Sequence, residues 1–242
     1  MNIERLSRGL AQMGVPADET ALSRFAAFDA LLCEANAQFD LTAVLSEDER
    51  VDRHDLDSAA PLPLGLIPGG ARVVDIGTGA GFPGIPLLIL RPDLRFTFVD
   101  ALQKRTRFLR RAIEMLGLEA AVLHARAEDV GRDAAHREAY DVAVSRAVAP
   151  AAVLQELTLP LVRPGGLSIA WKGPGIAEEW TAARRAAFVL GGALREPVPA
   201  PVPGRPEWGH VLLICDKRRS TPPMYPRRAG IPGKSPLGMG KQ

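Results

Sequence analysis

The sequence predicts an α/β protein with a Rossmann-like fold: a mostly parallel, twisted sheet with helices on both faces, preceded by an N-terminal helical segment. Three observations carry this expectation. From residue 72 onward, short apolar runs alternate with helical patterns, which is the mark of repeated βα units. A glycine-dense turn, Gly77-Thr78-Gly79-Ala80-Gly81-Phe82-Pro83-Gly84, follows the first apolar run. An acid, Asp100, ends the second run, about 20 residues further on, where a carboxylate can accept both hydroxyls of a ribose.

The elements follow in order. Ile3, Leu6, Leu10 and Met13 keep helical spacing, and Leu22, Phe25, Phe28, Leu32 and Phe39 resume it after the Gly14–Pro16 break. Pro61, Pro63, Pro68, Gly69 and Gly70 then mark a boundary, so residues 1–68 form a helical segment and 69–216 the main domain. Arg72–Ile76 is a strand. Ile85–Leu90 is a short helix, with Pro86 in its first turn and Pro92 just past its end. Phe96–Val99 is a second strand, and Lys104–Leu116 an amphipathic helix closed by Gly117. Ala120–His124 and Tyr140–Ser145 are strands, Ala151–Leu161 is helical, and Arg163-Pro164-Gly165-Gly166 turns into a fifth strand, Leu167–Lys172. Glu178–Leu190 is a helix, and the last strand, Val211–Cys215, can pair with Leu194–Val198. Residues 217–242 read as a basic, Pro/Gly-rich tail of irregular structure.

Composition narrows the class. No run of about 18 apolar residues exists to span a membrane. Met1-Asn2-Ile3-Glu4-Arg5 carries no apolar signal core, so a cytoplasmic protein is expected. Cys33 and Cys215 stand singly on apolar stretches, which predicts buried, reduced thiols and no metal site. The net charge is only +2, yet residues 217–242 contain seven basic side chains and no acid, leaving an acidic body. Such a tail points to contact with a polyanion.

The glycine turn admits two cofactors. Gly79-Ala80-Gly81-Phe82-Pro83-Gly84 fits the dinucleotide pattern, whereas Asp75 followed by Gly77, Thr78, Gly79 and Gly81 fits the turn that binds S-adenosylmethionine (SAM) in methyltransferases. Asp75 favours SAM, because an acid just before the glycines can face the cofactor's ammonium directly or through water, and hydride chemistry needs no such acid. Ala127-Glu128-Asp129, after the third strand where adenine lies in methyltransferases, favours it too, as does the Arg163–Gly166 turn.

Motifs spread from end to end then resemble one family. Asn36 with Asp40-Leu41-Thr42, Arg53-His54-Asp55-Leu56-Asp57-Ser58, Asp75 to Leu87 with both prolines, and Asp100-Ala101-Leu102-Gln103-Lys104-Arg105 appear in order. Arg126-Ala127-Glu128, Ser145-Arg146-Ala147-Val148, Lys172-Gly173 and Tyr225-Pro226-Arg227-Arg228-Ala229-Gly230-Ile231-Pro232 complete the set. The chain resembles the RsmG (GidB) family of bacterial 16S rRNA guanine-N7 methyltransferases, with mild departures at Asp40, Ala101 and Met224. The resemblance implies methyl transfer from SAM to N7 of guanine 527 in the 530 loop of 16S rRNA, on naked rRNA or a small-subunit particle.

That chemistry suits the residues. Guanine N7 has an in-plane lone pair and no proton to lose, so an in-line displacement needs no general base, and placement with desolvation can supply most of the rate. No Asn/Asp-Pro-Pro-Tyr motif follows the fourth strand, and no cysteine lies near the fourth or fifth for a covalent route. The resemblance assigns Asp75, Gly77, Thr78, Gly79, Gly81, Phe82, Asp100, Ala101, Ala127, Glu128 and Arg146 to the cofactor. Arg146 and Lys172 would position the substrate, and His54, Lys104, Arg105, Lys172, Arg227 and Arg228 would meet RNA, with His54, Asp57 and Ser58 in an N-terminal lid. Aromatic residues make up only 5%, which argues against a base-stacking platform; salt-sensitive phosphate contacts should dominate. A monomer with no metal is expected. The competing readings are an NAD(P)-dependent oxidoreductase, for which no Tyr/Lys or His dyad is evident, an RNA-binding assembly module with a relic SAM fold, and a small-molecule methyltransferase.

Overall fold

The computed structural model describes residues 1–38 and 40–239. Phe39, the end of the N-terminal helical pattern, and Lys241, one of the basic residues of the tail, lie outside the described residues.

Among the described residues, eight strands form one sheet. They are β1 (Arg72–Ile76), β2 (Arg95–Asp100), β3 (Ala120–His124), β4 (Tyr140–Arg146), β5 (Val162–Lys172), β6 (Gly192–Leu194), β7 (Val198–Pro199) and β8 (Val211–Lys217). Their order is β3-β2-β1-β4-β5-β8-β6, with β7 also on β8. The ladders from β3 through β5 are parallel, and β8 runs antiparallel to β5, β6 and β7. The expected partner of the last strand thus exists, but as two pieces flanking Arg195–Pro197.

Strand residues alternate between the two faces, as a period of two requires. Val73, Phe96, Phe98, Val142, Val144, Ile169 and Trp171 share one apolar cluster with the helices α1 (Ile3–Gln12), α2 (Glu19–Asn36), α4 (Gly84–Leu90) and α5 (Gln103–Met115). Val74, Ile76, Val99 and Ala143 face the other way, onto α7 (Ala151–Thr158), and Ala170 and Leu213 onto α7 and α8 (Ile176–Val189). The N-terminal segment is therefore continuous with the core of the main domain: Phe25, Phe28 and Leu32 are buried in the same cluster as Phe98. Its helices begin on side-chain caps, Asn2 accepting from the Arg5 N–H and Asp18 from that of Ala21.

Several expectations change. Arg163–Gly166 lies within β5, where the register to β4 jumps from Val162 to Leu167, so the segment is a bulged strand and not a separate turn. Lys217 belongs to β8 and is buried, its ammonium meeting Glu138 at 3.2 Å, Thr221 Oγ1 at 2.6 Å and the Leu159 carbonyl. Cys33 is exposed, because it falls on the outer side of α2; Cys215 is buried as expected. The tail contains one helical turn, α9 (Ile231–Lys234). Among the described residues no helix is long and apolar enough to cross a membrane.

Candidate active site

The carboxyl ends of the parallel strands, where ligands bind in such sheets, open into two adjoining clefts. The larger, about 540 Å³, is lined by Thr42, Arg53, His54, Asp57, Gly77, Thr78, Gly79, Phe82, Arg105, Arg146, Trp171, Lys172 and His210, among others. The smaller, about 260 Å³, is lined by Ile76, Gly77, Val99, Asp100, Ala101, Ala127, Glu128, Val148, Val153 and Leu157, and by Gly230 and Gly233 of the tail. Gly77 and Ala149 border both.

The glycine loop is built by backbone need. Gly77, Gly79 and Gly81 have φ of +68°, +61° and +99°, a region costly for residues with a Cβ. A Cβ on Gly77 would stand 2.6 Å from Val148. A Cβ on Gly81 would stand 2.7 Å from Ile85, so Gly81 packs the loop onto α4 and lines neither cleft. Asp100 fixes the same loop: its Oδ2 accepts from the Gly79 N–H at 3.0 Å and its Oδ1 from that of Leu102 at 2.8 Å.

Asp75 is fully buried behind the loop. Its Oδ2 accepts from the Gly84 N–H at 3.0 Å, while Oδ1 has no partner, and burial raises its pKa to about 7. Thr78 Oγ1 and Ser145 Oγ are also buried without partners. Buried polar atoms are normally hydrogen-bonded. Thr78, which lines the larger cleft beside Gly77 and Gly79, therefore offers a hydroxyl to a polar ligand such as the amino-acid end of SAM, with Asp75 and Ser145 buried behind it. The apolar smaller cleft, bordered by Asp100 on β2, fits its adenosine.

Arg146 ends β4, and its guanidinium is held through one nitrogen. Nη1 donates to the Arg53 carbonyl (2.9 Å), Asp57 Oδ2 (3.0 Å) and Ser58 Oγ (3.3 Å), and the group sits 5.2 Å from the Phe82 ring centroid. Asp57 Oδ1 accepts from His210 Nδ1 at 2.9 Å, and the Asp57 carbonyl accepts from Trp171 Nε1 at 2.7 Å. Arg53 to Ser58 sit on and just after a π-helical turn, Val51–Leu56, following α3 (Glu47–Arg50); such turns recur at functional sites. Ala147, the residue after Arg146, adopts φ +55°, an uncommon state outside glycine.

His54 stacks on Phe82 with centroids 4.3 Å apart and shares a 2.8 Å hydrogen bond with Thr42 Oγ1. Burial, aided by the Arg146 charge, lowers its pKa to about 4. At neutral pH it is a flat, uncharged ring in the cleft wall, not a phosphate-binding cation. Lys172 Nζ contacts Glu179 at 2.8 Å, and Glu179 also accepts from the Ala151 N–H that begins α7.

The other expected residues separate by what holds them. Ala101, and Ala127 and Glu128 of α6 (Ala127–Val130), line the smaller cleft, but the Glu128 carboxylate accepts from the Gly230 N–H at 2.9 Å and so also fastens the tail. Arg105 lies 3.5 Å from Asp100 and borders the larger cleft. Lys104 and Arg228 are exposed. Arg227 departs from the RNA-facing expectation: its guanidinium is paired with the buried Glu156 at 2.6 Å. The fold adds Trp171, His210 and Glu179 to the site. Trp171 and Glu179 carry no local motif, and the only signal for His210 is its place one residue before the final strand. Among the described residues no group of three or more His, Cys, Asp or Glu side chains stands together as a metal site.

Comparison with known proteins shows the family. The family described as rRNA small subunit methyltransferase G matches residues 21–199. Ribosomal RNA small subunit methyltransferase G of Symbiobacterium thermophilum is 43% identical over 241 residues, covering 96% of each chain. The Deinococcus deserti protein of the same name is 43% identical, covering 97% of this chain and 96% of its own. Among solved structures, similarity is in the fold alone. The Thermus thermophilus branched-chain polyamine synthase, with N4-aminopropylspermidine and 5'-methylthioadenosine, has TM-score 0.52 at 16% identity, covering 69% of this chain and 56% of that one. A Haloferax volcanii complex of the Trm112 methyltransferase activator with its partner protein has TM-score 0.55 at 15% identity, covering 79% and 98%. With the matching family spanning most of its length, the chain belongs to the rRNA small subunit methyltransferase G family, whose cofactor is SAM.

Proposed function

We propose that this enzyme methylates N7 of guanine 527 in the 530 loop of 16S rRNA, in the cytoplasm, as a monomer, with SAM as methyl source. The observation that carries the reading is the pair of joined clefts, with the glycine loop at their shared border and Arg146, Lys172 and His210 around the larger one. SAM, when bound, supplies a methyl group activated by a sulfonium.

The chain's own residues then have distinct tasks. Gly77 and Gly79 let the backbone approach the cofactor, Asp100 accepts from its ribose, and Asp75 Oδ1 attracts its ammonium through water. Val99, Val153 and Leu157 exclude water from the adenine. Phe82 and the neutral His54 form a flat wall for the guanine. Arg146, immobilised by Asp57, and Lys172, held by Glu179, orient the base through O6 or a phosphate. A cation directly at N7 would oppose the positive charge formed there, so neither acts on that atom. No side chain needs to accept a proton, because in-line displacement at N7 releases none. Most of the rate is expected from orientation and desolvation. The exposed Lys104 and Arg228 provide phosphate contacts outside the clefts, and Arg105 provides one at the border of the larger cleft.

Incubation with labelled SAM and naked 16S rRNA, small subunits or free nucleotides, followed by mapping of the methylated base, tests this. Label at guanine 527 N7 is the expected result. Label on another base or on a small molecule, or RNA binding without label, would refute it.

A further inference from the structure

The tail is fastened to the body at points that have no counterpart in an irregular, solvated extension. Arg137 donates to the carbonyls of Thr221 and Tyr225, each at 2.7 Å, and Arg132 Nε to that of Pro226 at 2.8 Å. Arg227 gives its backbone N–H to Glu156 at 2.8 Å and its guanidinium to both carboxylate oxygens, at 2.6–2.9 Å for the nearer contacts. The Gly230 N–H donates to Glu128.

Two features turn this fastening toward the cofactor. Gly230 and Gly233 line the smaller cleft, facing the same space as Val99, Asp100 and Ala101. Glu156 lies on α7 between Val153 and Leu157, which line that cleft from the helix side. Its side chain is only 1% exposed, and its one ionic partner among the described residues is Arg227. A buried carboxylate without its cation is strongly unfavourable, so Glu156 is an anchor that demands the tail. Glycines at the wall bring backbone close to the ligand space without side chains to fill it.

We propose that residues 225–234 form one wall of the adenosine end of the SAM site, and that Arg227 and Glu156 are positioning residues that hold this wall in place. The inference rests on the SAM reading of the clefts. It assigns Arg227 to cofactor binding through the tail and not to rRNA phosphate. It also makes cofactor binding and tail docking reciprocal: whatever the docked tail contributes to SAM affinity, bound SAM must return to tail docking.

The test uses the full chain and S-adenosylhomocysteine. Calorimetric titration compares wild type, Glu156→Gln, Arg227→Ala and Arg227→Lys. The alanine variant should bind about tenfold more weakly and the lysine variant should recover part of the affinity. KM for SAM should rise while KM for rRNA stays near wild type, a split that general unfolding or a weakened grip on phosphate would not give. On the wild-type protein, S-adenosylhomocysteine should slow trypsin cleavage after the exposed Arg228, which needs no variant to fold. Unchanged affinity in folded Arg227→Ala, a rise confined to the rRNA KM, or cleavage at Arg228 indifferent to the ligand would overturn the proposal. If wild type itself bound no S-adenosylhomocysteine, the cofactor reading would fail first, and the proposal with it.

Discussion

Asp57 holds Arg146: its Oδ2 accepts from the guanidinium at 3.0 Å while its Oδ1 takes the His210 Nδ1–H at 2.9 Å, and the carboxylate is almost wholly buried. The arginine at the end of β4 is thus aimed by an acid from the N-terminal segment, 89 residues away in sequence. A buried ion pair of this kind is a weak source of stability, but breaking one side of it costs about 3–5 kcal/mol.

Asp57→Asn should therefore reduce methyl transfer far more than it reduces SAM binding, because Arg146 loses its aim while the glycine loop is untouched. A drop in kcat of about tenfold or more is expected, corresponding to about 1.4 kcal/mol of transition-state stabilisation. Steady-state kinetics beside a SAM titration checks it; equal losses in both would assign Asp57 to the cofactor site.

The two cations of the cleft should behave differently on removal. Arg146→Ala strands the buried Asp57 and should lower both activity and thermal stability. Lys172→Ala leaves Glu179, whose side chain is about one-third exposed, in reach of water. That variant should stay within about 1 kcal/mol of wild-type stability and lose transfer activity. Thermal unfolding and methyl transfer, measured on both, separate the roles.

His54 predicts an acid limb in stability. Its pKa is lowered to about 4 by burial first and then by the Arg146 charge. The folded state therefore binds fewer protons than the unfolded one, which titrates near 6.5. The stability contribution is complete above about pH 6.5 and is lost as pH falls through about 4, amounting to about 3 kcal/mol at most. His54→Phe should flatten that limb in urea unfolding between about pH 7 and 4. An unchanged slope would show that His54 does not stay neutral in the cleft.

The glycine loop tolerates nothing larger at Gly77. A Cβ there meets both positive φ and Val148, whereas at Gly79 it meets positive φ and only the Gly77 carbonyl, at an unstrained 3.9 Å. Gly79→Ala should cost about 1–2 kcal/mol, and Gly77→Ala more. Both should weaken S-adenosylhomocysteine binding, read by calorimetry; equal, near-wild-type affinity would remove the loop from the cofactor site.

Salt should reveal which cations meet RNA. Removing a cation that binds one phosphate should make the negative slope of log K against log salt shallower by about 0.7–0.9. Lys104→Ala and Arg228→Ala should do so in filter binding to rRNA, since both side chains are exposed. Slopes identical to wild type would place the interface elsewhere on the surface.

Much of this was legible in the residues themselves. The alternation of strands and helices, the acid–glycine turn and Asp100 at the end of the second strand all depend on local period and backbone conformation, and each stands where expected. Ala101 and Ala127 line the smaller cleft and Phe82 and Arg146 the larger, because the strand ends and the glycine turn carry them there. Tertiary structure alone decided the rest. That His54 is neutral follows from burial against Phe82, and that Asp57 and His210 aim Arg146 follows from contacts across 89 and 153 residues. Charge counting read the tail as a set of free cations, yet Lys217 and Arg227 are consumed by Glu138 and Glu156. A sequence shows that a side chain is charged; only the fold shows whether water or a buried carboxylate is its partner.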